Sequence, residues 1–186
     1  MAFSAEQHRN RSYAGEGGVL LGIYLDNAAT SFPKPEAVCQ AVSMYLRNAC
    51  ASLARGSHRA AVQVEEMFLE TRSLLGELFN VSPENINRIV FTSNATEALN
   101  TAVRGLLKPG DHVVTSALVH NALWRPLKML ERAGVIELSV IPCPGGIGPT
   151  PQAVLEELRE NTALVAMAHA SNVTGALLPI EAVGQL

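Results

Sequence analysis

The sequence predicts an α/β fold, a largely parallel sheet with helices on both faces, and two observations carry that expectation. Short apolar runs alternate along the chain with segments of helical periodicity. The runs themselves, such as "IVF" and "LVAMA", are near-continuously apolar, as strands covered on both faces are. In sheets of this kind ligands bind beyond the C-terminal ends of the strands.

The first strand is expected near residues 20–25, in "GVLLGIYL", which stops at Asp26. A helix follows in "PEAVCQAVSMYLRNA", with Pro35 at a first-turn position and Val38, Val42 and Tyr45 on one side. A second, longer helix runs from about Arg59 to Phe79 and repeats the spacing through Val64, Phe68, Leu75 and Phe79. Beyond it the pattern reads strand 88–92, helix 95–107, strand 111–116, helix 121–133, strand 135–141, helix 151–160, strand 163–168 and a last helix from about Pro179. Trp124 and Met129, on the helix after His120, read as core or interface residues, and His169 as a satisfied structural histidine.

Composition narrows the function classes. Of 186 residues 48% are hydrophobic and 17% charged, as expected of one globular domain with a real core. A formal net charge of -3 provides no electrostatic footprint for nucleic acid or for an anionic membrane. Cys39, Cys50 and Cys143 lie far apart without metal-ligand spacing and read as reduced thiols of a cytosolic protein, with no metal site. Arg9 and Arg11 precede the apolar run near residue 20, but the run is too short for a membrane span. The segment "MAFSAEQHRNRSYAGEGG", residues 1–18, is expected to be a mobile extension, and residues 19–186 the domain.

At the expected strand ends stand "SNAT", "LVHN" and "HASNVTG". In the first, Asn94 can cap the following helix and Glu97 can reach back, a close variant of a capping box. The same helix end, with its free amides and the Thr96 hydroxyl, also suits a phosphate dianion. Both readings can hold together. Asn94 further tolerates a left-handed backbone that a tight strand-to-helix turn can demand. His120 is either a solvated turn residue or an imidazole laid against an aromatic cofactor. Asn172 is either part of a turn closed by Gly175 or an amide that bonds a ring oxygen or a substrate carboxylate. No "GxGxxG" follows a strand, which removes the motif of a nicotinamide-binding domain.

The ordered stretches "YLDNAATSFPKP", "FTSNATEALN", "VHNALWRPL" and "ASNVTGALLPI" resemble the N-terminal half of a cysteine desulfurase, a pyridoxal-phosphate enzyme of the class V aminotransferase group. The resemblance covers about residues 23–186. It implies the large-domain fold of fold-type I pyridoxal-phosphate enzymes, incomplete here. Ala95 and Thr96 would hold the cofactor phosphate, and His120 would stack on the pyridine ring as the catalytic-site histidine. Asn172 would contact cofactor and substrate carboxylate, and Ala28 and Ala29 would line the substrate side. The family more often has glycine where this chain has Asn94.

The resemblance also implies a homodimer in the cytoplasm that converts L-cysteine to alanine and leaves persulfide sulfur on the enzyme. Its Schiff-base lysine, its aspartate against the pyridinium nitrogen and its glutamine near the ring oxygen belong to a part that would follow Leu186. Lys34, Lys108 and Lys128 fit none of these motifs and read as surface residues. The chain is therefore expected to be a truncated portion, inactive alone. A selenocysteine lyase, another class V aminotransferase-like enzyme and a non-catalytic dimerisation fragment are the alternatives.

Overall fold

Strand β1 (Asp111–Ser116) is the centre of a three-stranded parallel sheet, in the order β2–β1–β3, with β2 at Ile136–Ile141 and β3 at Thr162–Ala166. The computed structural model describes residues 23–49, 51–53 and 56–186. They fall into two compact units, one ending at Ile86 and one comprising Asn87–Leu186. The sheet lies in the second unit. β1 runs in register with β2 from Asp111 opposite Ile136 to Ser116 opposite Ile141, and its pairing with β3 is interrupted by a bulge between His112 and Val113.

Side chains alternate across a strand, so one strand can serve two cores. Val113 packs with Val103 of α3 (Ala95–Leu106), Leu123 and Leu127 of α4 (Asn121–Arg132), Ile136 and Ala166. Val114, one residue on, packs instead with Ile141 and with Val154 of α5 (Pro151–Glu157), and Val183 of α6 (Ile180–Val183) joins the same cluster. Both valines are fully buried, a burial of about 1.5–3 kcal/mol each. Helices thus cover both faces of a parallel sheet, as the apolar runs predict.

The face of β1 that carries Val114 also carries a polar crosslink. His112 is fully buried, with Nδ1 2.8 Å from the Thr162 hydroxyl and Nε2 3.0 Å from the Ser139 hydroxyl, so one imidazole joins all three strands. Burial, and then the nearby Arg159 charge, push its pKa below the ordinary value. Thr115, facing the other way, donates to the Ala166 carbonyl at 2.6 Å. At the end of α4, Gly134 takes φ +69°, and its amide and that of Val135 donate to the Glu131 and Leu130 carbonyls. Only a residue without Cβ makes that left-handed turn into β2 without strain.

The first unit holds α1 (Glu36–Asn48) and α2 (Arg59–Leu78). His58 caps α2, its side chain accepting from the Ala61 amide at 3.3 Å. Ala61, Val64 and Gly76 are buried on α2, whereas Val38 and Val42 of α1 stand about half exposed. The α1 stripe is therefore amphipathic but uncovered among the described residues. No described helix is long and apolar enough to cross a membrane.

Several expectations need correction. Of the strand expected at residues 20–25, residues 20–22, like the 1–18 extension, lie outside the described set. Ile23 and Leu25 belong to no strand and are 87% and 88% exposed. At 88–92, Arg88 closes a short 3-10 helix, Pro83–Arg88, and residues 89–92 are irregular. The physical reason is shared: an apolar extended run becomes a strand only where a neighbour completes its ladder, and none does so among the described residues. The expected helix 151–160 ends at Glu157, because Leu158 turns extended and the Thr162 hydroxyl takes the Arg159 amide at 2.8 Å. His169 is exposed and, among the described residues, its side chain makes no hydrogen bond, while its carbonyl accepts from the Leu178 amide.

Candidate functional site

The turn "SNAT" folds as a cap. Asn94 Oδ1 accepts from the Glu97 amide at 2.9 Å, and the Glu97 carboxylate reaches back to the Ser93 amide at 3.0 Å and the Ser93 hydroxyl at 2.5 Å. Those bonds hold the Glu97 carboxyl below the usual carboxylate range. Asn94 is extended, at φ -167° and ψ 167°, so the left-handed backbone expected of it is not required. The network leaves the amides of Ala95 and Thr96 and the Thr96 hydroxyl without a partner among the described residues. Three donors at the positive end of a three-turn helix are a donor set that fits a phosphate dianion.

His120 caps α4 in the same manner. Its Nδ1 accepts from the Ala122 amide at 3.1 Å, which places the ring proton of the neutral form on Nε2. The ring is exposed. Thr96 and His120 line one open groove of about 480 Å³ between α3 and α4, the volume of a small-molecule site. Its floor includes Ala122 and Pro126, both buried, and its walls carry Asn100, Arg104 and Arg125.

Asn100 and Pro126 explain how the two helices are joined at this groove. Pro126 lies inside α4 and has no N–H to donate to the Ala122 carbonyl. Asn100 Nδ2 donates to that carbonyl from the neighbouring helix at 3.4 Å, and to the Thr96 carbonyl of its own helix at 2.9 Å. Asn100 and Arg125 were not legible as site residues. Asn100 sits four residues after Thr96, so it shares its helix face, and that spacing is the signal that could have found it.

The remaining candidates, Asn172, Ala28 and Ala29, are not among the residues that line this groove. Asn172 is exposed in a turn whose geometry Ser171 and Gly175 set: the Ser171 hydroxyl accepts from the Val173 and Thr174 amides, and Gly175 donates to the Ser171 carbonyl at 2.9 Å. Asn172 does not line the α3–α4 groove. Ala28 and Ala29 belong to the first unit, in a turn closed by the Ala29 amide on the Asp26 carbonyl at 3.1 Å. Around that turn Tyr24 donates to the Thr30 carbonyl at 2.9 Å and Asn27 accepts from the Phe32 amide at 3.2 Å. Lys34 donates to the Thr30 hydroxyl and the Ser31 carbonyl, so this exposed lysine fastens the loop. Trp124 is half-buried with Lys128 over its ring, and Met129 is exposed at the edge of the groove.

The family model described as aminotransferase class-V matches residues 23–186. The chain belongs to the class-V aminotransferase family. Among curated relatives, "Cysteine desulfurase IscS" of Shewanella woodyi is 36% identical over 172 residues, and that of Serratia proteamaculans 35% over 172. Each alignment takes in 89% of this chain and 41% of the relative, so the chain spans about two fifths of their length. Among solved structures, the apo cysteine desulfurase of Thermococcus onnurineus NA1 superposes with a TM-score of 0.78 at 29% identity, covering 88% of this chain and 40% of that one. "SspA in complex with cysteine" superposes at 0.76 with 26% identity, covering 87% and 46%. The sheet and its helices are thus the fold of the cysteine desulfurases, and members of this family depend on pyridoxal phosphate.

Proposed function

We propose that this chain is the N-terminal part of the cofactor domain of a pyridoxal 5'-phosphate-dependent cysteine desulfurase, acting on L-cysteine to give alanine and enzyme-bound persulfide sulfur. The observation that supports it is the groove where Thr96 of α3 meets His120 of α4, in a chain whose relatives and structural neighbours include cysteine desulfurases. A neighbour that carries cysteine in its complex supports the substrate.

Bound pyridoxal phosphate supplies an electron sink for the carbon that bears the substrate amino group. The chain's own residues bind and orient. The Ala95 and Thr96 amides with the Thr96 hydroxyl would hold the phosphate, and the helix end would add about 0.3–1 kcal/mol. At the start of α4 the Ala122 amide bond to Nδ1 leaves the His120 proton on Nε2, and that imidazole would stack on the cofactor ring. Asn172 is assigned to the cofactor and the substrate carboxylate, and Ala28 and Ala29 to the substrate. A lysine outside these 186 residues, a homodimeric assembly and a cytoplasmic location complete the reading, and all three rest on the family resemblance.

The test is to purify the intact protein, titrate it with pyridoxal phosphate by absorbance and measure alanine and sulfide formed from L-cysteine with a thiol reductant. Thr96→Ala is expected to raise the cofactor Kd about tenfold or more, the loss of one hydrogen bond to a charged group, and His120→Ala to lower chiefly kcat. A protein that binds no pyridoxal phosphate, or that turns over L-selenocysteine but not L-cysteine, would sink this assignment.

A further inference from the structure

The groove that carries Thr96 and His120 is markedly one-signed. Its lining includes Arg104 and Arg125 together with Asn100 and Asn121, and no carboxylate, although the chain as a whole has a formal net charge of -3. Neither arginine forms an ion pair or a hydrogen bond among the described residues, whereas Lys128 and Arg159 are both paired with glutamates. Guanidinium groups left unpaired in a concave site are matched to oxyanions, which they grip with two parallel N–H groups.

The two arginines are not equivalent. Arg104 is eight residues beyond Thr96 on α3, about 12 Å along the helix at 1.5 Å per residue. Arg125 is five residues after His120, and side chains on a helix lean toward its N-terminus, here toward the His120 end of the groove. Its neighbour Pro126 and the Asn100 bond to the Ala122 carbonyl hold this stretch of α4 against α3, the helix whose first turn offers the free donors.

We infer that Arg125 is a further phosphate-binding residue, meeting from α4 the same dianion that Thr96 and the α3 amides hold from the other wall of the groove. The inference rests on the pyridoxal phosphate reading above and adds a charged ligand, a residue of "VHNALWRPL" to which the resemblance gave no role. It makes the phosphate site a two-helix site, with neutral donors on α3 and a cation on α4.

The experiment compares the cofactor-stripped intact protein with its Arg125→Gln, Arg125→Lys, Arg132→Gln and Thr96→Ala variants. Each is titrated with pyridoxal 5'-phosphate, with pyridoxal, which lacks the phosphate, and with inorganic phosphate as competitor. Arg132 is exposed in the last turn of α4, so its replacement removes the same charge away from the groove. Arg125→Gln is expected to raise the pyridoxal phosphate Kd about tenfold or more, as loss of a charge-assisted bond does, and to leave pyridoxal binding as it was. Arg125→Lys should retain charge but lose the forked geometry and fall between, while Arg132→Gln stays near wild type. Equal weakening by Arg125→Gln and Arg132→Gln, or an unchanged Kd in Arg125→Gln, would overturn the inference. If Thr96→Ala still weakens binding in that case, the pyridoxal phosphate reading survives it. A wild-type protein that binds pyridoxal as tightly as its phosphate would overturn both.

Discussion

The proline inside α4 makes the α3–α4 joint testable by a double-mutant cycle. Replacing Asn100 by alanine removes the donor to the Ala122 carbonyl and to the Thr96 carbonyl. Ala122 is 8% exposed where it lines the groove, so its carbonyl loses its protein donor, a cost of up to about 1–3 kcal/mol. The bond is long at 3.4 Å, which puts the loss toward the lower end, and the better helix propensity of alanine returns about 0.5 kcal/mol. The expected net loss is about 1 kcal/mol. In a Pro126→Ala background the residue at 126 regains an N–H and satisfies the Ala122 carbonyl within α4, so the same Asn100→Ala change should cost close to nothing. Trp124 lies in α4 and is the only tryptophan of the 186 residues, so its fluorescence in urea reports the transition locally. The two backgrounds are compared by their midpoints and slopes. Equal losses with proline and with alanine at 126 would show that Asn100 does not stand in for the missing helix bond.

Three further outcomes are expected. Asn94→Ala should lower stability by about 1 kcal/mol through loss of the cap, while Asn94→Asp should keep apo stability yet weaken pyridoxal phosphate binding, because it sets a second negative charge beside the phosphate; equal cofactor Kd values for wild type and Asn94→Asp would refute the anion role of this turn. Stability should fall as pH drops below 6.5, the ordinary His112 value, and level off beneath its depressed folded pKa, since the unfolded chain takes up a proton that the buried ring resists. His112→Gln should flatten that part of the curve in denaturant titrations at several pH values, and an unchanged slope would remove His112 as its source. Finally, Ser116 is fully buried with its hydroxyl unpartnered among the described residues, so Ser116→Ala should leave the melting temperature unchanged or raise it; a clear drop would mean that the hydroxyl has a partner.

The parts of the fold legible in the sequence are those that neighbours along the chain decide. β1 at Asp111–Ser116 and the start of α4 follow from local runs, and the start of α3 also from Asn94 standing where a helix needs an acceptor for its free amides. Residues 23–25 and the run at 89–92 have the same local chemistry as the true strands, but strand formation depends on a partner far away in sequence, about which a local pattern is silent. The site divides along the same line. Thr96 and His120 could be named from motif and strand-end position, whereas Asn100 and Arg125 gain their meaning only when α3 and α4 lie side by side and a proline leaves one carbonyl open between them. A proline within a helical pattern normally argues for a break. Here α4 continues through Pro126 because the lost bond is replaced from outside the helix, and that substitution places an amide and a guanidinium on the wall of the groove. The residue that interrupts the helix's own ladder is thus the one at which the two walls of the candidate site are tied together.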